Sequence, residues 1–119
     1  HTSDAVLKLM RKPSFKLFER LRMEFDNIVY SSGRKCELVP YFISGHPGCG
    51  MREMQRLART PALKGLYMDQ VQDFTPTPMT ASSVMFYTGL DPKNLEKVFV
   101  ERDMERKKEQ KSFFFRRGK

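Results

Sequence analysis

Few side chains in this 119-residue chain combine the type and the spacing that chemistry needs. His46 and Cys49 share the turn HPGCG, with Cys36 upstream, and Gln72 and Asp73 close the apolar stretch that runs into TPTPMT. An HxxC pair is half of a structural zinc site, which takes four ligands usually grouped in pairs. Only His1 remains to complete it, so no metal site is expected. No Ser/His/Asp triad can be argued from the order of residues, and no GxxxxGK[ST] phosphate loop is present. The candidate catalytic groups are then His46 and Asp73. His46 reads either as a proton donor or substrate contact, or as a polar residue closing a turn before proline.

The elements that must position these groups follow from periodicity. Ser3 is placed to cap a first helix carrying Val6, Leu9 and Met10 on one face, with Asp4 in its first turn. Pro13 interrupts it, and Ser14 can cap a second helix whose Phe15, Phe18, Leu21, Phe25 and Ile28 form a stripe that ends at Gly33. CELVPYFISG, residues 36–45, reads as a strand, although Pro40 removes a ladder donor. Met51, Met54, Leu57 and Ala58 mark a short helix that must stop near Thr60, because Pro61 disfavours helix in the residue before it. A second strand covers residues 67–74. Helix, strand, helix, strand with short connections predicts a parallel pair. Residues 81–88 read as a helical turn or two, 97–100 as a short strand and 103–115 as a charged helix. The fold class expected is α/β, with two or three parallel strands and flanking helices, so few strands that a fragment of something larger is the natural reading.

Composition restricts the rest. The net charge of +8 sits at the ends: residues 1–35 hold 8 basic and 4 acidic groups, 36–100 hold 6 and 6, and 101–119 hold 8 and 4. Two cysteines are too few for a secreted disulfide framework, and no apolar run of spanning length occurs, so a cytoplasmic location without membrane contact is expected. The beginning HTSD and the end RRGK suggest a piece of something longer.

HTSDAVLKLMRKPS (1–14), LVPYFISGHPGC (38–49) and DQVQDFTPTPMTASSVMFYTGLDP (69–92), in that order, resemble the C-terminal half of the radical S-adenosylmethionine core in the YgiQ family of uncharacterised radical SAM proteins. The likeness runs over roughly residues 1–115. It implies the C-terminal portion of a partial (β/α) TIM-type barrel in residues 1–92, followed by a basic extension in 93–119. It also implies a parent enzyme in which a four-iron four-sulfur cluster cleaves S-adenosylmethionine to a 5′-deoxyadenosyl radical, on a substrate the sequence does not reveal. The cluster-binding CxxxCxxC loop of that superfamily is missing here, so the cluster would be held by the other half of the barrel, the expected partner, and no cofactor is expected to be held by these residues alone. In α/β barrels ligands sit at the C-terminal ends of the strands. By similarity, Ile43 and Phe74 would face the adenine, with Ser44, Gly45, Gln72 and Asp73 lining the cofactor site.

Two rival readings remain. A basic module binding RNA or another acidic partner without catalysis would use KSFFFRRGK, where rings beside cations can stack bases. Docking of Phe113, Phe114 and Phe115 on the flank of the fold is the preferred reading of that segment, since three exposed phenylalanines are an aggregation hazard. The strand-end glycines and prolines could also be turn formers and nothing more.

Overall fold

A computed structural model describes residues 1–68 and 70–115. Helices α1 (Asp4–Leu9) and α2 (Phe15–Ser32) form where the apolar spacing places them. Ser3 makes no side-chain cap bond. Asp4 reaches across the break at Pro13 instead: its Oδ1 accepts from the Phe15 N–H at 2.8 Å and its Oδ2 from the Ser14 hydroxyl at 2.9 Å. Ser14 Oγ in turn accepts from the Lys16 N–H at 3.4 Å. A carboxylate at the start of α2 satisfies donors that have no intrahelical acceptor and complements the helix dipole. The Phe15 amide, then the Ser14 hydroxyl, hold the Asp4 pKa below its ordinary value. Gly33, at φ 65°, stops α2 in the left-handed region that glycine adopts without strain. No residue of α2 is fully buried, however: Phe15 and Phe18 touch the core from its rim, while Leu21 and Ile28 lie exposed.

The sheet is shorter than expected. Strands β1 (Phe42–Ser44) and β2 (Val71–Asp73) pair in parallel, in the register Phe42 to Val71, Ile43 to Gln72 and Ser44 to Asp73. Its ends are marked by the Phe42 N–H donating to Gln70 O and the Phe74 N–H donating to Ser44 O, both at 2.8 Å. Pro40 and Pro76 flank this ladder, and neither can donate to it. The third strand expected at 97–100 does not form. Lys97 makes one isolated antiparallel bridge to Leu90, because the chain closes on itself through Asp91 N–H to Glu96 O and Val98 N–H to Gly89 O. Among the described residues the sheet therefore has two strands, in a mixed α/β fold.

Helix α3 (Met51–Ala58) crosses from β1 toward β2 and is followed by a 3-10 turn at Pro61–Leu63. Helix α4 (Ala81–Thr88) is capped by Thr80, whose hydroxyl accepts from the Ser83 N–H at 3.2 Å, and ends at Gly89, φ 70°. Helix α5 (Met104–Phe115) packs against α3, β1 and β2. The core is the cluster of Val6, Phe42, Met54, Leu57, Leu63 and Phe114, with Cys49 and Met68 beside it. Phe114 packs against Phe42 with the rings tilted and their centroids 5.1 Å apart, Phe113 is half-buried and Phe115 is exposed. Docking thus accounts for Phe114 and in part for Phe113. Arg116, Arg117 and Lys119 of the proposed basic tail lie outside the described residues. Among the described residues, no helix is long and apolar enough to cross a membrane.

Candidate functional site

The C-terminal ends of β1 and β2 lie side by side, and the chain leaves them through Gly45–Gly48 and Phe74–Pro78. Side chains alternate between the two faces of a strand, so the parallel register divides the expected site residues instead of gathering them. Ile43 and Gln72 share one face with Tyr41, whose hydroxyl donates to Gln72 Oε1 at 2.5 Å. Ile43 and Tyr41 also border a mainly apolar cleft of about 400 Å³ that continues between α1 and α2 past Leu7, Phe15 and Leu17. That volume falls within the range of small-ligand sites.

Ser44 and Asp73 lie on the other face, toward α5. The buried Ser44 hydroxyl donates to Asp73 Oδ1 at 2.7 Å, and Lys111 of α5 pairs with Asp73 Oδ2 at 3.4 Å. Asp73 is thereby engaged by a strand neighbour and by the C-terminal helix. Gly45 adopts φ 67°, and the nearest atoms to a side chain built there belong to Lys107, at 3.7 Å. Gly48 adopts φ 85°, and a side chain built there would come within 2.3 Å of Leu9 Cδ1 of α1, which would have to shift. Close approach at Gly48 is made by the protein's own α1.

Phe74 and His46 form a third group. His46 is buried, its ring edge-on to Phe74 at 5.1 Å, and Phe74 approaches Phe86 of α4 at 5.8 Å. Lys107 and Arg102 both stand over the Phe86 ring, at 4.8 and 5.5 Å. Burial, above all, pushes the His46 pKa below its ordinary value, so the neutral imidazole is favoured. Its Nδ1 lies 2.8 Å from Pro47 O and its Nε2 2.7 Å from Ser82 Oγ. His46 and Asp73, the two candidate catalytic groups, thus have separate sets of partners.

The cysteines do not make a thiolate set. Cys36 is exposed, whereas Cys49 is fully buried and its thiol is pushed up to about 12, first by burial and then by Glu53. Among the described residues no three His, Cys, Asp or Glu side chains gather as metal ligands. The threonines of TPTPMT are exposed, and two of their hydroxyls make local bonds: Thr80 caps α4 and donates to Thr77 O at 2.9 Å, and Thr75 lies 3.5 Å from Asp73 O.

Sequence reasoning missed Ser82, Lys107, Lys111 and Tyr41. Ser82 could have been noticed as a first-turn residue after the Thr80 cap, but its partner lies 36 residues away. The two lysines sit four apart on one face of a charged helix, a pattern that by itself reads as a solvated surface.

Residues 69–117 match a family described as Domain of unknown function (DUF3362). Over nearly its whole length the chain is similar to proteins named UPF0313 protein. One from Bacteroides thetaiotaomicron is 46% identical over 115 residues, covering 97% of this chain and 18% of the relative. Another, from Porphyromonas gingivalis, is 44% identical with the same coverage. A third, from the archaeon Methanosarcina acetivorans, is 42% identical over 118 residues, covering 99% of this chain and 16% of the relative. No solved structure matches the chain. The chain therefore has homologues named UPF0313 protein in both bacteria and archaea, and it spans less than a fifth of the length of these curated relatives.

Proposed function

We propose that this chain is the C-terminal part of a radical S-adenosylmethionine barrel, with residues 1–92 contributing to the barrel and residues 93–119 forming an extension whose helix α5 packs on β1 and β2. The observation that carries this reading is the parallel β1–β2 pair, in which Ile43 and Gln72 stand side by side on one face next to the Gly45 turn. An apolar side chain beside a directed amide suits one face and one edge of an adenine ring, and backbone at a positive-φ glycine can approach a ligand closely. Similarity to much longer proteins agrees with a partner segment that holds the cluster.

In this reading S-adenosylmethionine, when bound, supplies the radical chemistry. Ile43 packs on the adenine, the Gln72 amide, already oriented by Tyr41, reads its edge, and Gly45 leaves the ribose side open. Asp73 is assigned to holding α5 in place through Lys111, with Ser44 fixing its carboxylate. Phe74 and His46 shape the far wall.

The test uses a longer protein carrying both this chain and an upstream CxxxCxxC, loaded with iron and sulfide without oxygen. Cleavage to 5′-deoxyadenosine and methionine is expected, with binding weakened about tenfold in Q72A, equivalent to about 1.4 kcal/mol. A protein that holds its cluster and never cleaves S-adenosylmethionine sinks the reading. The rival reading, a basic module for RNA, loses one of its stacking rings, since Phe114 is buried. It predicts binding that falls steeply with salt, and no binding at low salt would dispose of it.

A further inference from the structure

The His46–Ser82 contact has a direction. Pro47 O can only accept, so the 2.8 Å contact places the imidazole proton on Nδ1. In the neutral imidazole that burial favours, Nε2 is then bare and accepts the Ser82 hydroxyl proton at 2.7 Å. A backbone carbonyl orients the base, and the base faces a hydroxyl: the geometry by which a serine is activated.

The surroundings fit the same chemistry. His46 is 3% exposed, while Ser82 is only half-buried, so the base is shielded and the nucleophile can be reached. Ser82 occupies the first turn of the eight-residue α4, where backbone N–H groups lack intrahelical acceptors and can stabilise a developing oxyanion. The Ser83 amide is taken by Thr80 Oγ, which leaves the Ala81 and Ser82 amides for that role. Phe86 lies one turn further along α4 and joins Phe74 in an aromatic wall beside the pair.

We propose that Ser82 is the nucleophile of a Ser–His acyl-transfer site, with His46 as its general base, and that the site takes short apolar acyl groups from carboxylic esters. Ser82 Oγ bonds to the acyl carbon as the ester C–O bond breaks, and the Ser82 proton passes through His46 Nε2 to the departing alcohol. Water then attacks the acyl-serine by the same route, releasing the carboxylic acid and restoring Ser82. No oxidant, reductant or metal is required, so the proposal stands apart from the S-adenosylmethionine reading.

The full chain, with its fold checked by circular dichroism, is treated with a fluorophosphonate probe and mapped by peptide mass spectrometry. Ser82 is expected to be labelled at least about 100-fold faster than the exposed Ser31, since base assistance contributes about 10²–10⁴-fold. S82A should lose the label and the hydrolysis of p-nitrophenyl acetate together, and H46Q should reduce Ser82 labelling to the Ser31 rate. If H46Q does not fold, the comparison becomes native protein against protein in urea, with labelling expected only in the native state. Ser82 labelling no faster than Ser31, or equally fast in folded H46Q or in urea, overturns the proposal.

Discussion

Leu9 of α1 occupies the space that a side chain on Gly48 would need. The turn after β1 is thereby locked to the N-terminal helix, and the Gly48 N–H also donates to Phe99 O at 2.7 Å. Three distant parts of the chain meet at this one glycine.

Gly48→Ala combines a left-handed φ with a steric collision, so it should destabilise the fold by about 2–4 kcal/mol. Gly33→Ala carries only the backbone penalty, because nothing lies within 4 Å of the added carbon, and should cost about 1 kcal/mol. Urea unfolding of the two variants side by side checks the difference. Equal losses would mean that Leu9 yields.

Phe114 is 5% exposed and packed against Phe42, while its neighbour Phe115 is 58% exposed. Phe114→Ala should therefore cost about 3–5 kcal/mol and Phe115→Ala no more than about 0.5 kcal/mol. Thermal unfolding of both variants measures how firmly α5 is docked.

Cys36 is exposed, and the Cys49 thiol is buried with its pKa near 12. Iodoacetamide at about pH 8 should alkylate Cys36 and spare Cys49 until the protein unfolds. Because the folded pKa is raised above the ordinary 9.0, the stability contributed by keeping Cys49 protonated is intact below pH 9.0 and is lost as pH rises toward about 12. Peptide mass spectrometry and alkaline unfolding curves report the two effects.

His46 titrates in the opposite sense. Burial lowers its folded pKa from 6.5, so the unfolded chain binds the proton more readily in the window just below that value. The stability from a neutral His46 is present above pH 6.5 and lost as pH falls through the folded pKa. Urea midpoints at about pH 7.5 and about pH 5.5 should differ more in the unmodified chain than in H46Q. An identical pH response in both would place the titration elsewhere.

Local signals determined much of this protein. Ser14 and Gly33 bracket α2, Pro61 limits α3 and Gly89 ends α4, since caps and breakers act over a few residues whatever lies around them. Helix–strand alternation also determined that β1 and β2 run parallel. Tertiary structure alone decided the register, and the register separated Ile43 and Gln72 from Ser44 and Asp73, because each one-residue step along a strand reverses the face. It also decided that Asp4 serves the second helix, that Leu9 approaches Gly48, and that His46 meets Ser82. Those contacts join residues between 10 and 39 positions apart, and local propensity carries no information about which distant side chain will arrive.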